Sequence, residues 1–304
     1  MIQEVLMRDN QSISVCVVGA GEQKVFLVHG VGGSHYAWLP FAIPFLKDFT
    51  FIIPNLRGFG LSSETPYIGE NVVENYANDI EDMVDHFVGE DEKFILCSLS
   101  MGALSSLCFL SREKNRARVA KYLNVDQSPM AKNNDEWKYG LFGLNQDELL
   151  DRTQALVNEC VHMHHLDYKQ TPKVFRKDYI GTLGYFFSNA FHRKIEKYFI
   201  KFAMTLNIAP VHHMFSVSKF KSYLHCINTF KQFDHDFRSY LQHFCFPVTV
   251  FAGTQSDMYP VAGQMYMANN IPNSKFVEFN ESHALMYTAP VKFTKEFKKF
   301  LYND

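Results

Sequence analysis

Ser100, His283 and two aspartates, Asp126 and Asp257, are the residues from which chemistry can be assembled in this chain of 304 residues. A serine hydroxyl is a weak nucleophile until a base takes its proton. A histidine base in turn needs a carboxylate to fix its tautomer and stabilise its charged form. Ser100 lies in the stretch KFILCSLSMGALSSLCFLS, residues 93–111. Phe94-Ile95-Leu96-Cys97 reads as a buried strand, Ser98-Leu99-Ser100-Met101-Gly102 as a tight turn, and 103–110 as a helix of small and apolar residues. Ser98 and Gly102, two residues either side of Ser100, are small enough for strand and helix to approach closely. A strained turn between them lifts the Ser100 oxygen clear of the sheet. That arrangement suits covalent acyl transfer; packing serines in a core strand and helix are the other reading of this stretch alone.

Several elements must bring the other residues to Ser100. Residues 2–8 and 12–18 alternate like two antiparallel strands around Asp9-Asn10-Gln11. The apolar run 24–28 ends in His29-Gly30-Val31-Gly32-Gly33-Ser34, a strand running into glycines. Such a turn exposes backbone N–H groups at the carboxyl edge of an α/β sheet, where ligands bind. The N–H of Val31, with that of Met101 directly after the serine, is the expected oxyanion pair, and His29 and Gly30 complete the binding turn. Residues 35–46 read as a helix interrupted near Pro40 and Pro44. Residues 49–53 form another buried strand, and 71–88 a helix with Val72, Tyr76, Ile80, Val84 and Phe87 on one face. Residues 119–125 are a strand that runs into Asp126-Gln127-Ser128-Pro129. Two edge strands followed by strand and helix in alternation predict a mostly parallel sheet with helices on both faces.

The rhythm stops after Pro129. From 131 to 246 the pattern is helical and rich in Phe, Tyr, His and Lys, clearest at 148–162 and 193–206. This insertion is expected to form a helical cap over a core built from 1–130 and 247–304. Strand rhythm returns at 248–252 and 275–280, with helices near 263–268 and 291–301. His283 falls in the loop after the last strand.

Composition excludes several classes. Hydrophobic residues make up 47% and charged residues 20%, the balance of a globular chain. A formal net charge of −2 gives no overall attraction to nucleic acid or to an anionic membrane. No apolar run approaches the ~18 residues of a membrane span. The amino terminus lacks the basic and apolar regions of a signal peptide. The six cysteines are scattered without a C-x-x-C pair, as expected of buried thiols in the cytoplasm. His162-Met163-His164-His165 and His212-His213 lack the carboxylate or thiolate support of a metal site. No dinucleotide or phosphate-loop spacing is present, and no cofactor is implied.

Four segments in order resemble the α/β-hydrolase family over nearly the whole chain. HGVGGS at 29–34 is similar to its oxyanion segment, and NLRGFGLS at 55–62 to its D-x-R-G-x-G-x-S loop, with Asn55 for Asp. SLSMG resembles the nucleophile elbow, G-x-S-x-G, with Ser98 for the first glycine. ESHALMYTAP at 281–290 is similar to the late histidine loop. The resemblance implies an eight-stranded sheet, Ser100 as nucleophile and His283 as base.

The acid has two candidates. In most of the family it lies in a G-x-x-D-x-x-x-P loop. Here that loop reads Gly253-Thr254-Gln255-Ser256-Asp257-Met258-Tyr259-Pro260, with serine at the acid's place and Asp257 one residue late. A subgroup with a VDQ(S/T)P strand end, a W-x-x-G-L-x-G segment and G-x-x-S-x-x-Y-P places its acid earlier. This chain carries all three, which favours Asp126, with Asp257 the alternative. The implied activity is hydrolysis of a small carboxylic ester with an apolar acyl or aromatic group. A cofactor-free perhydrolase or haloperoxidase-like activity, and a non-catalytic ligand receptor on the same fold, are the alternatives.

Overall fold

The computed structural model describes residues 1–206 and 215–303. Its strands are β1 (Ile2–Leu6), β2 (Ser12–Gly19), β3 (Gln23–Val28), β4 (Phe49–Pro54), β5 (Phe94–Leu99), β6 (Val119–Val125), β7 (Val248–Gly253) and β8 (Ser274–Phe279). They form one sheet in the order β1-β2-β4-β3-β5-β6-β7-β8. The β1–β2 and β2–β4 pairs are antiparallel and every later pair is parallel. The chain therefore has the mostly parallel sheet expected from its strand rhythm, with the eight strands that the resemblance implies.

Continuous apolar runs become central strands because both faces of the sheet are covered. Along β5 the side chains alternate between two cores. Phe94 and Leu96 join one, and Ile95, Cys97 and Leu99 the other. Helices α1 (Val72–Phe87) and α2 (Met101–Ser111) cover the first face, with α1 capped by Asn71, whose side chain accepts from the Glu74 N–H. Nearly every residue of α2 is buried, because it lies between the sheet and α1. Gly102 permits this approach: a Cβ there would lie 2.3 Å from the His29 carbonyl oxygen. On the second face Trp38 and Phe41 pack against Phe293 and Phe297 of the carboxyl-terminal helix (Pro290–Tyr302). The proline-interrupted stretch before β4 is three short turns, His35–Ala37, Leu39–Ala42 and Ile43–Phe45.

Among the described residues, 131–246 contributes no strand to the sheet. It carries α3 (Gln146–Val161), α4 (Lys173–Ser188), α5 (Lys194–Thr205) and α6 (Phe220–Gln232). The chain leaves and re-enters the core at a single antiparallel bridge, Met130 to Asp236. Two of these helices match the stretches that periodicity singles out. α4 hides because apolar residues lie all round it, with Gly184 facing Met204 of α5. α6 is legible in hindsight from Phe220, Tyr223, Leu224 and Ile227, all buried on one face. Two further helices follow β7 and the His283 loop: α7 (Val261–Asn269) and α8 (Pro290–Tyr302).

The loop after β4 is fixed by a buried cation. Arg57 donates to Asp79 of α1 at 2.7 Å through Nε, to Asp9 at 3.0 Å through Nη2, and to the Pro66 carbonyl at 2.8 Å. Burial pushes the Asp79 carboxyl up to about 6, against the opposing pull of Arg57. A buried pair is costly to break on one side only, because the survivor stays charged and unpaired. Arg57→Met should therefore lower the unfolding free energy by about 3–5 kcal/mol in urea titrations. Arg57→Met/Asp79→Leu should be more stable than the single variant. Equal instability of the two would mean that lost packing, not the stranded charge, sets the cost.

Candidate active site

Ser100 follows β5 with φ 54° and ψ −127°, a conformation side chains rarely adopt. Strain of this kind costs about 1–3 kcal/mol and persists only when the surroundings over-determine it. Here they do. The Ser100 N–H donates to Val125 O at 3.1 Å, and its carbonyl accepts from Ala103 N at 2.7 Å and Leu104 N at 3.0 Å. Gln127 Nε2 donates to that same carbonyl at 3.0 Å. The glycine turn after β3 lies alongside. A Cβ on Gly30 would stand 3.0 Å from the Ser100 Cβ, so only glycine leaves the serine unobstructed there.

Asp126 leaves the adjacent strand, β6, also at positive φ (47°), and is fully buried. Its Oδ1 accepts from Gly253 N at 2.8 Å and Gln264 Nε2 at 2.9 Å. Its Oδ2 accepts from Ser256 Oγ at 2.7 Å and is 2.6 Å from His283 Nδ1. A carboxylate accepts only, so Nδ1 donates to it, and in the neutral ring Nε2 is the acceptor. The serine at the acid's usual place is thereby explained: Ser256 turns inward to donate to a carboxylate arriving from the neighbouring strand. Asp257 points elsewhere. Half exposed, it forms an ion pair with Lys197 of α5. Of the two candidate acids, the structure brings Asp126 to the His283 ring and leaves Asp257 paired with Lys197 of α5.

Ser100 and His283 both line a cavity of about 800 Å³. The Ser100 hydroxyl forms no hydrogen bond among the described residues, a common state before substrate tightens the contact. Its lining combines apolar side chains, among them Leu99, Phe186, Phe187, Ile200, Phe215 and Met258, with the polar Ser34, His35, Asn55, Ser63 and Lys219. Val31 and Gly30 line the cavity, whereas Met101 is buried at the first turn of α2 behind the serine.

His29 differs from the sequence expectation. It is not part of the cavity lining but a buried brace between strands, its Nε2 accepting from Leu56 N at 3.0 Å and its Nδ1 meeting Gly30 O at 2.7 Å. Burial pushes its pKa down to about 4. The sequence assigns no role to His35, Asn55, Gln127 or Tyr259, yet the structure places all four at the site. Asn55 Oδ1 lies 2.9 Å from His35 Nδ1, and its Nδ2 donates to Ser14 O at 3.0 Å. An aspartate at 55 has no donor for Ser14, so the departure from the usual loop pattern has a local cause. Gln127 links the Ser100 carbonyl to the Tyr259 hydroxyl at 3.1 Å. The Tyr259 ring sits 5.9 Å from that of His283. Among the described residues no group of three or more His, Cys, Asp or Glu is placed to hold a metal ion. His212 and His213 lie outside the described residues.

A doubly wound sheet whose central strand ends in a strained serine, beside a histidine held by a buried aspartate, defines a recognisable class. A model of the α/β-hydrolase fold matches residues 24–290. The chain belongs to the α/β-hydrolase family. No curated protein matches it. Among solved structures it is similar to an esterase from Exiguobacterium antarcticum at 19% identity and TM-score 0.74, with 99% of each chain covered. An esterase from Rhodococcus sp. ECU1013 is 21% identical, with TM-score 0.74 and coverage of 99% of this chain and 98% of that one. A bromoperoxidase from Bacillus anthracis is 19% identical, with TM-score 0.75 over the whole of both chains. Likeness at these identities speaks to the fold.

Two outcomes follow from this geometry. Asp126→Asn should lower turnover about 10⁴-fold with the fold intact, because the ring then rests in the wrong tautomer. Asp257→Asn should cost less than about tenfold, the scale of one lost surface contact. Steady-state kinetics on both variants checks this, and the reverse ranking would reassign the acid.

The second concerns pH. His29 titrates near 6.5 when unfolded but about 4 when folded, so the unfolded chain binds more protons between those values. Its contribution to stability is present above about 6.5 and is lost as pH falls towards 4. Asp79, raised to about 6, acts in the opposite sense, so the informative quantity is a difference between variants. The stability gap between the parent and His29→Gln should narrow as pH drops from 6.5 to 4, by at most about 1.4 kcal/mol per unit. A gap that does not change with pH would contradict the buried neutral ring.

Proposed function

We propose that this protein hydrolyses small carboxylic esters through an acyl-enzyme on Ser100. The contact that supports the reading most directly is the 2.6 Å approach of His283 Nδ1 to Asp126 Oδ2, beside a serine in the strained elbow conformation. In this scheme His283 Nε2 takes the hydroxyl proton as Ser100 Oγ attacks the acyl carbon. The N–H groups of Val31 and Met101 meet the oxyanion, and Asp126 stabilises the imidazolium. Collapse expels the alcohol, which leaves with the proton from Nε2. Water enters, gives a proton to the same nitrogen and attacks the acyl carbon. The carboxylic acid then departs as Ser100 recovers its proton.

The substrate class follows from the walls. An apolar lining with a few polar groups suits a small ester with an aliphatic or aromatic acyl group. Residues 131–246 act as the cap that sets its size, since α4 and α5 supply Phe186, Phe187 and Ile200 to the cavity.

Active-site titration with a fluorophosphonate and a series of p-nitrophenyl esters tests the reading. Labelling should fall on Ser100, and Ser100→Ala should abolish it while lowering turnover by about 10⁶. Across short acyl chains kcat/KM should rise by up to about fourfold per methylene until the chain outgrows the cavity. Labelling that persists in Ser100→Ala would overturn the nucleophile. Tight stoichiometric binding of the esters with negligible turnover would instead indicate a ligand-binding protein.

A further inference from the structure

Helix α5 is apolar on two faces, and folding accounts for only one. Ile200, Ala203 and Met204 are buried against the protein, Ile200 as part of the cavity wall. On the other side Ile195, Tyr198, Phe199 and Phe202 recur at the spacing of a single helix stripe. These four side chains are 49% to 77% exposed, and Leu206 continues the line just beyond the helix. Tyr198 and Phe202 stack on one another, with ring centroids 6.3 Å apart. Scattered exposed hydrophobes need no explanation, but a contiguous aromatic stripe marks an interaction surface.

Charge indicates what the surface meets. The whole chain has 30 Lys and Arg against 32 Asp and Glu. Residues 165–206 hold eight Lys and Arg against three Asp and Glu. The near-zero net charge of the chain thus conceals a basic cap segment on an acidic remainder. Lys194 and Lys201 are exposed and seven residues apart, which puts them on one flank of the stripe. Lys197 joins the same flank and is held by Asp257. A helix with aromatic and aliphatic residues on one side and lysines beside them is built to lie in a lipid interface, the rings in the acyl boundary and the ammonium groups among phosphates.

We propose that α5 docks this protein on an anionic bilayer surface. The attachment is peripheral, since among the described residues no helix is long and apolar enough to cross a membrane. The rings enter the interface, the lysines pair with acidic headgroups, and the opposite face of the same helix forms part of the cavity. Docking needs no chemistry at Ser100, so it stands or falls apart from the ester reading.

Flotation with vesicles of phosphatidylcholine, alone or with about one quarter phosphatidylserine, tests it on the full chain carrying Ser100→Ala, which leaves the lipid intact. The protein should float with the acidic vesicles and be released as salt is raised. Phe199→Gln/Phe202→Gln should weaken binding at least about tenfold. Lys194→Gln/Lys201→Gln should weaken it too, by about fivefold per lysine. In the otherwise unaltered enzyme both double variants should retain turnover of a short soluble ester, which reports that they fold. Three results would overturn the proposal: no preference for acidic vesicles, binding unaltered in the stripe variant, or a dimer in sedimentation velocity that the stripe variant dissociates. The last would assign the stripe to a second copy of this chain.

Discussion

The carboxylate of Asp126 gathers four donors from four separate pieces of chain: Gly253 N at the end of β7, Ser256 in the loop beyond it, Gln264 on α7, and His283 after β8. Removing a carboxylate from water is expensive unless its lone pairs are met, and here they are. The same requirement fixes the site. An acid that must be satisfied from β7, α7 and the last loop holds those elements in one register, and the histidine ring is locked as a by-product. Ser100 is anchored to the same place from the other side, through its N–H to Val125 O, the residue before Asp126.

Both residues sit at positive φ at the ends of neighbouring strands, Ser100 at 54° and Asp126 at 47°. Two strained residues side by side impose a cost that the rest of the fold offsets by rigidity. Helix α2 supplies bonds to the Ser100 carbonyl, Gln127 adds another, and the Asp126 N–H reaches Phe251 O at 2.8 Å. Beneath them runs a buried polar strip in which Ser98 Oγ donates to Tyr122 Oη at 3.0 Å. Asn124 Nδ2 meets the same hydroxyl at 3.3 Å, and because unpaired polar groups are costly at this depth, this part of the sheet is unforgiving of substitution.

Much of this was legible in the sequence. Each strand boundary fell within about two residues of its expected place, because buried parallel strands write themselves as continuous apolar runs between turn residues. The serine and histidine were legible because an elbow and a late loop have spacing of their own. The acid was harder. Spacing says how far a loop reaches, not which side chain turns inward, and that was decided by Ser256 donating to a neighbour from another strand. His29 was misjudged for a related reason: standing beside a glycine turn does not say on which side of the strand the ring lies. Of the donors to Asp126 only His283 was legible, since the Gly253 N–H carries no sequence signal and Gln264 is 138 residues away in sequence. Local charge was legible but averaged out, as a chain-wide sum cannot register a basic segment set against an acidic remainder.

The molecule thus divides its constraints. At the carboxyl edge of the sheet the Ser100 backbone and the Asp126 carboxylate each have several fixed partners, so their geometry has little freedom. Residues 131–246 are joined in part through stacked rings such as Phe142 on Tyr185 and Phe175 on Tyr179, contacts that tolerate changes of side chain better than a satisfied carboxylate does. Shape where α4 and α5 line the cavity can therefore change without disturbing the shell of Asp126. A helix that only needed to close the cavity would present polar residues to solvent, because exposed rings add nothing to folding and raise the risk of association. The outward stripe of α5 is a cost that the fold alone does not require. Because the same backbone carries Ile200 into the cavity, whatever covers that stripe bears directly on the wall of the site.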